Sequence, residues 1–192
     1  MTSLCPFPMM GLRMFKIVTA FLLFIFTGTA AVAVQASDAP YAGQDSRNIK
    51  ALSAQDIEDL LAGRGWGFAK PAELNGFPGP AHLLELKDRI ELSDRQSAEI
   101  QALFDEMQRQ ATALGAAYVA AERALEDAFA GQTIVSGDLA PLVMRAAELK
   151  GRLRLVHLET HLKTLPLLSK HQVATYMRLR GYAGHARDGH QH

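Results

Sequence analysis

The fold that we predict for this chain depends on one stretch of sequence, Leu92-Ser-Asp-Arg-Gln-Ser-Ala-Glu-Ile-Gln-Ala-Leu-Phe-Asp-Glu-Met107. The Ser93 hydroxyl can accept from the backbone N–H of Gln96 while the Gln96 side chain returns to the Ser93 N–H, which is the capping box that begins a helix. Apolar residues then recur at gaps of three or four from Ile100 to Phe129, the pattern of a long amphipathic helix with coiled-coil character. We therefore predict a helix that begins after Ser93 and ends near Gly131.

Two more helices are predicted on the C-terminal side. The first has its start signal at residues 136–138, runs from about Leu139 to Leu165, and ends or kinks at Pro166. The second begins at Leu168-Ser-Lys-His-Gln172, where Ser169 and Gln172 repeat the capping box. Because short connections join long helices to antiparallel neighbours, we expect a long antiparallel hairpin with short flanking helices.

The N-terminal part of the mature chain has weaker patterns. Residues 37–50 are polar and patternless and are predicted to be a flexible leader, and Ser53 caps a short helix that ends at Gly63. The Gly/Pro-rich segment 63–80, here called the strap, is expected to be an ordered loop pinned by Trp66 and Phe68. It is not a phosphate-binding loop, since no strand precedes its glycines and no Lys-Ser/Thr follows them.

A short helix from Pro80 to about Ile90 completes the pattern, and no segment alternates as a strand would. We predict an all-α fold with four helices in residues 80–182, preceded by the leader, short helix and strap in residues 37–79. A histidine-containing tail, residues 183–192, follows and is expected to be loose.

The first 36 residues have the parts of a secretory signal peptide. Arg13 and Lys16 precede an apolar run from Ile17 to Phe26, and small residues lead to Ala36, where we expect cleavage. An uncleaved membrane anchor is the alternative, because the uncharged stretch is about as long as a spanning helix. Export into the periplasm is therefore predicted.

Charge and cysteine content exclude several classes of function. The chain has 20 Lys+Arg and 20 Asp+Glu, so it lacks the basic excess expected of a protein that binds nucleic acid. Its single cysteine, Cys5, lies in the predicted signal peptide, which leaves the mature chain without a disulfide, a zinc-thiolate site or a cysteine nucleophile. No motif suggests a catalytic triad, so we expect a protein that binds and is not an enzyme.

The predicted helix from about Leu139 to Leu165 carries two apolar faces. Ala146, Leu149, Leu153 and Val156 cluster on one side, and the opposite side has the leucines that we call the leucine face: Leu155, Leu158, Leu162 and Leu165. A simple hairpin cannot bury both. Either the short helices cover the leucine face, or Leu155, Leu158 and Leu162 form a homodimer or client surface.

Histidines on the same helix are the best metal candidates. His157 and His161 are four residues apart on one helical face, a spacing at which two imidazoles can bind one ion. A third ligand would come from another helix, either from His82 and Glu85 or from Glu122 and Glu126. Such a set suits a divalent ion such as zinc, nickel, cobalt or copper(II). The alternative is that both histidines form ordinary interhelical hydrogen bonds.

The two motifs, residues 92–96 and 168–172, resemble the paired Leu-Thr-x-x-Gln motifs of periplasmic Spy/CpxP-type chaperones and related heavy-metal sensor and resistance proteins. Both copies have Ser in place of Thr, which preserves the cap. The resemblance covers residues 80–182, and the segment 51–80 has no counterpart in it.

What the resemblance implies is a hairpin-based, usually dimeric fold with a concave face that holds unfolding clients or restrains a stress-sensing kinase. It therefore implies an ATP-independent chaperone or envelope-stress modulator, with unfolded envelope proteins or a sensor-kinase domain as partners. The alternative is a periplasmic divalent heavy-metal sensor or resistance protein, since some members bind metal through His and acidic residues.

Overall fold

The structure, a computed structural model, describes residues 39–182. The predicted signal peptide, residues 1–36, and the tail, residues 183–192, lie outside the described residues. Helices dominate the described part, and its only β pairing is an isolated bridge between Ile49 and Leu52. The all-α prediction is confirmed. Across residues 39–182 we find no helix with the length and apolar content needed to span a membrane.

Residues 39–182 contain seven α-helices and one 3-10 turn. The prediction of four helices in residues 80–182 is too low, because the backbone at Leu86 leaves helical geometry and divides the first predicted helix in two. The strap also contains a short helix. The elements are α1 (Ala54–Leu61), α2 (Lys70–Glu73), α3 (Pro80–Glu85), α4 (Lys87–Ile90), α5 (Asp94–Ala130), α6 (Ser136–Thr164), the 3-10 turn Leu165–Leu167, and α7 (Lys170–Leu179).

The two long helices pack against each other and form the main support of the fold. Helix α5 begins after Ser93 and ends at its C-cap Gly131, where the sequence placed both ends. Helix α6 begins at Ser136, ahead of the predicted Leu139, and it accommodates Pro141 near its start. Their shared core also receives side chains from α1, the strap and the segment before α1. Its buried members are Ile49, Leu52, Leu60, Phe68, Ala111, Tyr118, Val119, Ala146, Leu149 and Leu153.

The end of the predicted leader is part of this core. Ile49 and Leu52 are 1% and 2% exposed, so they are as buried as the residues of the long helices. The backbone N–H of Lys50 donates to the Glu126 carboxylate at 3.0 Å, and its Nζ lies 2.9 Å from the same group. The prediction of a flexible leader is therefore wrong for its last residues, which are fixed by burial and by an ion pair with α5.

The strap crosses the helical body as an ordered segment. Phe68 is buried, and Trp66 packs edge-on against it with ring centroids 5.2 Å apart. The Trp66 indole N–H donates to Asp56 of α1 at 2.7 Å, and Lys150 of α6 lies over the same ring. The aromatic side chains thus fix the strap between α1 and α6.

Candidate functional site

The two capping motifs contact each other through their glutamines. Each Gln Oε1 accepts from the N–H of its own capping serine, at 3.0 Å for Gln96 and 2.9 Å for Gln172. The Gln96 Nε2 donates to the Gln172 side chain and to the Leu167 carbonyl. The Gln172 Nε2 donates to the Gln96 side chain and to the Glu91 carbonyl. The pair therefore joins the start of α5 to the start of α7, a role that neither motif reveals alone.

This arrangement predicts strong energetic coupling between Gln96 and Gln172. Each Gln→Ala change leaves partly buried polar groups without partners, which costs about 1–3 kcal/mol per orphaned group. We expect the double variant to lose less stability than the sum of the single variants, with a coupling energy of about 0.5–3 kcal/mol in urea denaturation. Gln101→Ala is the control, because its amide bonds only to Asp105 on the exposed face of α5. If the stability losses of the two single variants were additive in the double variant, the contact between Gln96 and Gln172 would be contradicted.

The leucine face is uncovered over much of its length. Leu155 is 53% exposed and Leu162 is 57% exposed, while Leu158 and Leu165 are half-buried. On the other side of α6, Leu149 and Leu153 are buried. The short helices therefore leave Leu155 and Leu162 accessible in the single chain. Contiguous exposed apolar surface is the kind of surface that binds another protein, and Leu155 and Leu162 share one helix face with the half-buried Leu158.

His157 and His161 lie on the buried side of α6. They are 3% and 7% exposed, and the Phe68 ring stacks against His157 at a centroid distance of 6.0 Å. The Nδ1 of His161 is 2.7 Å from the Phe77 carbonyl of the strap, whereas the His157 Nε2 has no hydrogen-bond partner among the described residues. Burial, and secondarily the nearby His161, lowers the pKa of His157 to about 4. His157 is therefore neutral at physiological pH.

The predicted metal ligands are not assembled into one site. His82 and Glu85 pair with each other at 3.0 Å on the exposed side of α3, and Glu126 pairs with Lys50. Residues 39–182 contain no group of three His, Cys, Asp or Glu side chains that could hold an ion. The structure brings none of these candidate third ligands to His157 and His161, since Glu85 pairs with His82 and Glu126 with Lys50, and the metal site stays a prediction.

A carboxylate that the sequence analysis did not consider lies beside His161 instead. Glu73 of α2 accepts from the Tyr176 hydroxyl, and its other oxygen is 3.8 Å from His161 Nδ1. The Arg180 Nε is 3.7 Å from the carboxylate. Burial raises the pKa of Tyr176, which keeps the phenol protonated as a donor. This cluster ties the strap to α6 and α7. In the sequence, the only hint of this cluster is that Glu73 is the single acidic residue of the strap.

The geometry thus presents an exposed apolar helix face on a body whose helix starts and strap are fixed by buried polar contacts. The apolar face is open to solvent, whereas the side chains of His157, His161 and Gln172 are buried inside the fold. Searches with this sequence and structure found no matching protein-family model, no matching curated protein and no matching solved structure.

Proposed function

We propose that the protein is an exported, ATP-independent chaperone or envelope-stress modulator of the Spy/CpxP type. In this proposal α5 and α6 form the long antiparallel hairpin of that family, and the leucine face binds unfolded envelope proteins or a sensor-kinase domain. The single observation that carries the proposal is the exposure of Leu155 and Leu162 on a helix whose opposite side is buried.

Leaving the leucine face in water is unfavourable in free energy. Burying a leucine side chain is favourable by about 1.5–3 kcal/mol, so a few exposed leucines give useful affinity for any apolar segment without a specific sequence. The same surface can serve a second copy of the chain, and we propose a homodimer that exchanges with client-bound protein. Such a surface requires no nucleotide and no catalytic residue.

The experiment is an aggregation assay with two matched substitutions. We expect Leu162→Glu to abolish suppression of aggregation of an unfolding test enzyme, because a charge in an apolar contact costs several kcal/mol of desolvation. Ala113→Glu, at an exposed position of α5, is expected to retain suppression. Circular dichroism should show the same helicity in both variants. Unfolding of Leu162→Glu would show instead that the residue belongs to the core.

A divalent-metal sensor is the second candidate, favoured by the free Nε2 of His157 four residues from His161. Metal binding there needs a rearrangement that draws the imidazoles away from Phe68 and Phe77. Zinc titration of mature protein that ends at Tyr182 separates the two functions. Micromolar binding that is lost in a His157→Ala, His161→Ala variant would favour the sensor.

A further inference from the structure

A second concentration of exposed apolar side chains lies where α5 meets α6. Ten large hydrophobic residues in the described part are exposed, and five of them lie between positions 129 and 144. Four of these define what we call the turn-end patch, and they are 39% to 61% exposed: Phe129, Val135, Leu139 and Val143. The turn-end patch shares no residue with the leucine face.

The turn-end patch continues the buried side of α6. Leu139 and Val143 are four residues apart and precede Ala146, Leu149 and Leu153 at gaps of three to seven, so they lie on the same side of the helix. Ala146 is 5% exposed, whereas Val143 is 43% exposed. The covering elements, Ile49, Leu52 and α1, therefore stop short of this end. An apolar segment placed on the turn-end patch would extend the existing core.

Within the segment that carries the turn-end patch, the charged residues are all acidic. The sequence from Ala124 to Met144 contains no Lys or Arg, and its three charged residues are Glu126, Asp127 and Asp138. Lys50 neutralises Glu126 at 2.9 Å, while Asp127 and Asp138 are exposed. The leucine face differs, because its leucines have both basic and acidic neighbours in sequence, namely Arg154, Glu159 and Lys163. The border of the turn-end patch thus complements a cation.

We propose that the turn-end patch binds a cationic amphipathic segment of another polypeptide. Its apolar side chains would cover Leu139 and Val143, and its Lys or Arg side chains would lie beside Asp127 and Asp138. Apolar burial supplies affinity, and charge complementarity supplies selectivity and faster association. A second copy of the leucine face is an alternative occupant that the test distinguishes. The proposal does not rest on the chaperone function, since it uses different residues.

The test uses three short synthetic peptides and the mature full-length protein. One peptide has leucine and lysine at helical spacing, one has the same composition in scrambled order, and one has glutamate in place of lysine. Binding is measured by fluorescence anisotropy at low and high salt. We expect the amphipathic cationic peptide to bind at least about tenfold more tightly than the other two, and to weaken as salt rises.

Two variants and a control show whether the cationic peptide binds at the turn-end patch. Leu139→Ser with Val143→Ser should weaken the cationic peptide about tenfold, and Asp127→Asn with Asp138→Asn should remove most of the salt dependence without changing the fold. Leu155→Ser with Leu162→Ser should leave binding unchanged. Equal binding of the three peptides, no binding, or loss only in the leucine-face control would overturn the proposal. The proposal would also be overturned if ultracentrifugation showed self-association that is abolished both by Leu139→Ser with Val143→Ser and by Leu155→Ser with Leu162→Ser. A second copy of the chain would then occupy the turn-end patch.

Discussion

Replacing Gly115 by alanine is expected to destabilise the protein by about 1–3 kcal/mol, although alanine is the better helix former. Gly115 lies inside α5, and a Cβ there would collide with the backbone carbonyl of Leu60 in α1. Leu60 is 1% exposed and its helix is also held by a hydrogen bond from Gln108 to Ala62, so the backbone cannot move aside cheaply. Urea denaturation monitored by circular dichroism measures the loss.

Gly151 of α6 is the matched control. A Cβ at this position meets nothing within 4 Å, so alanine there should stabilise the protein by up to about 1 kcal/mol. The two Gly→Ala changes thus have opposite expected signs. Stabilisation by Gly115→Ala would show that α1 does not approach α5 as closely as the structure has it.

Acidification is expected to remove about 3 kcal/mol of stability through His157. Its pKa is lowered to about 4 in the folded chain, mainly by burial, from an ordinary value of 6.5. Between these values the unfolded chain holds a proton that the folded chain does not, so stability is fully present above pH 6.5 and falls as pH decreases toward 4. At 1.36 kcal/mol per unit of pKa the full loss is about 3 kcal/mol.

The measurement is the free energy of unfolding at pH 7 and at pH 5. His157→Gln cannot take up the proton, so its stability should change much less between these two values. His171→Gln, at an exposed position on α7, should keep the wild-type dependence. If both variants follow the wild type, another group accounts for the acid sensitivity.

The long helices were predictable because their signals are local. Ser93 at the start of α5 and Ser169 at the start of the shorter α7 each form a capping box with a residue three positions later. The apolar spacing along α5 and α6 needs no knowledge of distant contacts. The two faces of α6 followed from the same periodicity. The sequence could not decide which face would be covered, since that depends on where α1 and the strap lie.

The sequence predicted that Trp66 and Phe68 pin the strap, but it could not predict the polar contacts of the strap or the burial of Ile49. Glu73 meets Tyr176 across 103 positions of sequence, and Ile49 joins the core without belonging to any periodic pattern. His157 and His161 looked like metal ligands because their spacing is right, but the same spacing places both on the buried side of α6, where Phe68 and Phe77 meet them. The lone glycine at position 115 was the one local signal of a close helix contact, and it does not indicate the partner.

Site-specific photocrosslinking shows whether the leucine face contacts unfolded protein. A photoreactive phenylalanine analogue is placed at Leu162 or, as control, at Ala113, and the mature protein is irradiated with a reduced, carboxymethylated test protein that cannot fold. We predict crosslinks from position 162 that disappear when the test protein is folded, and none from position 113. Equal crosslinking at both positions, or none from position 162 under conditions in which aggregation is suppressed, would contradict client binding by the leucine face.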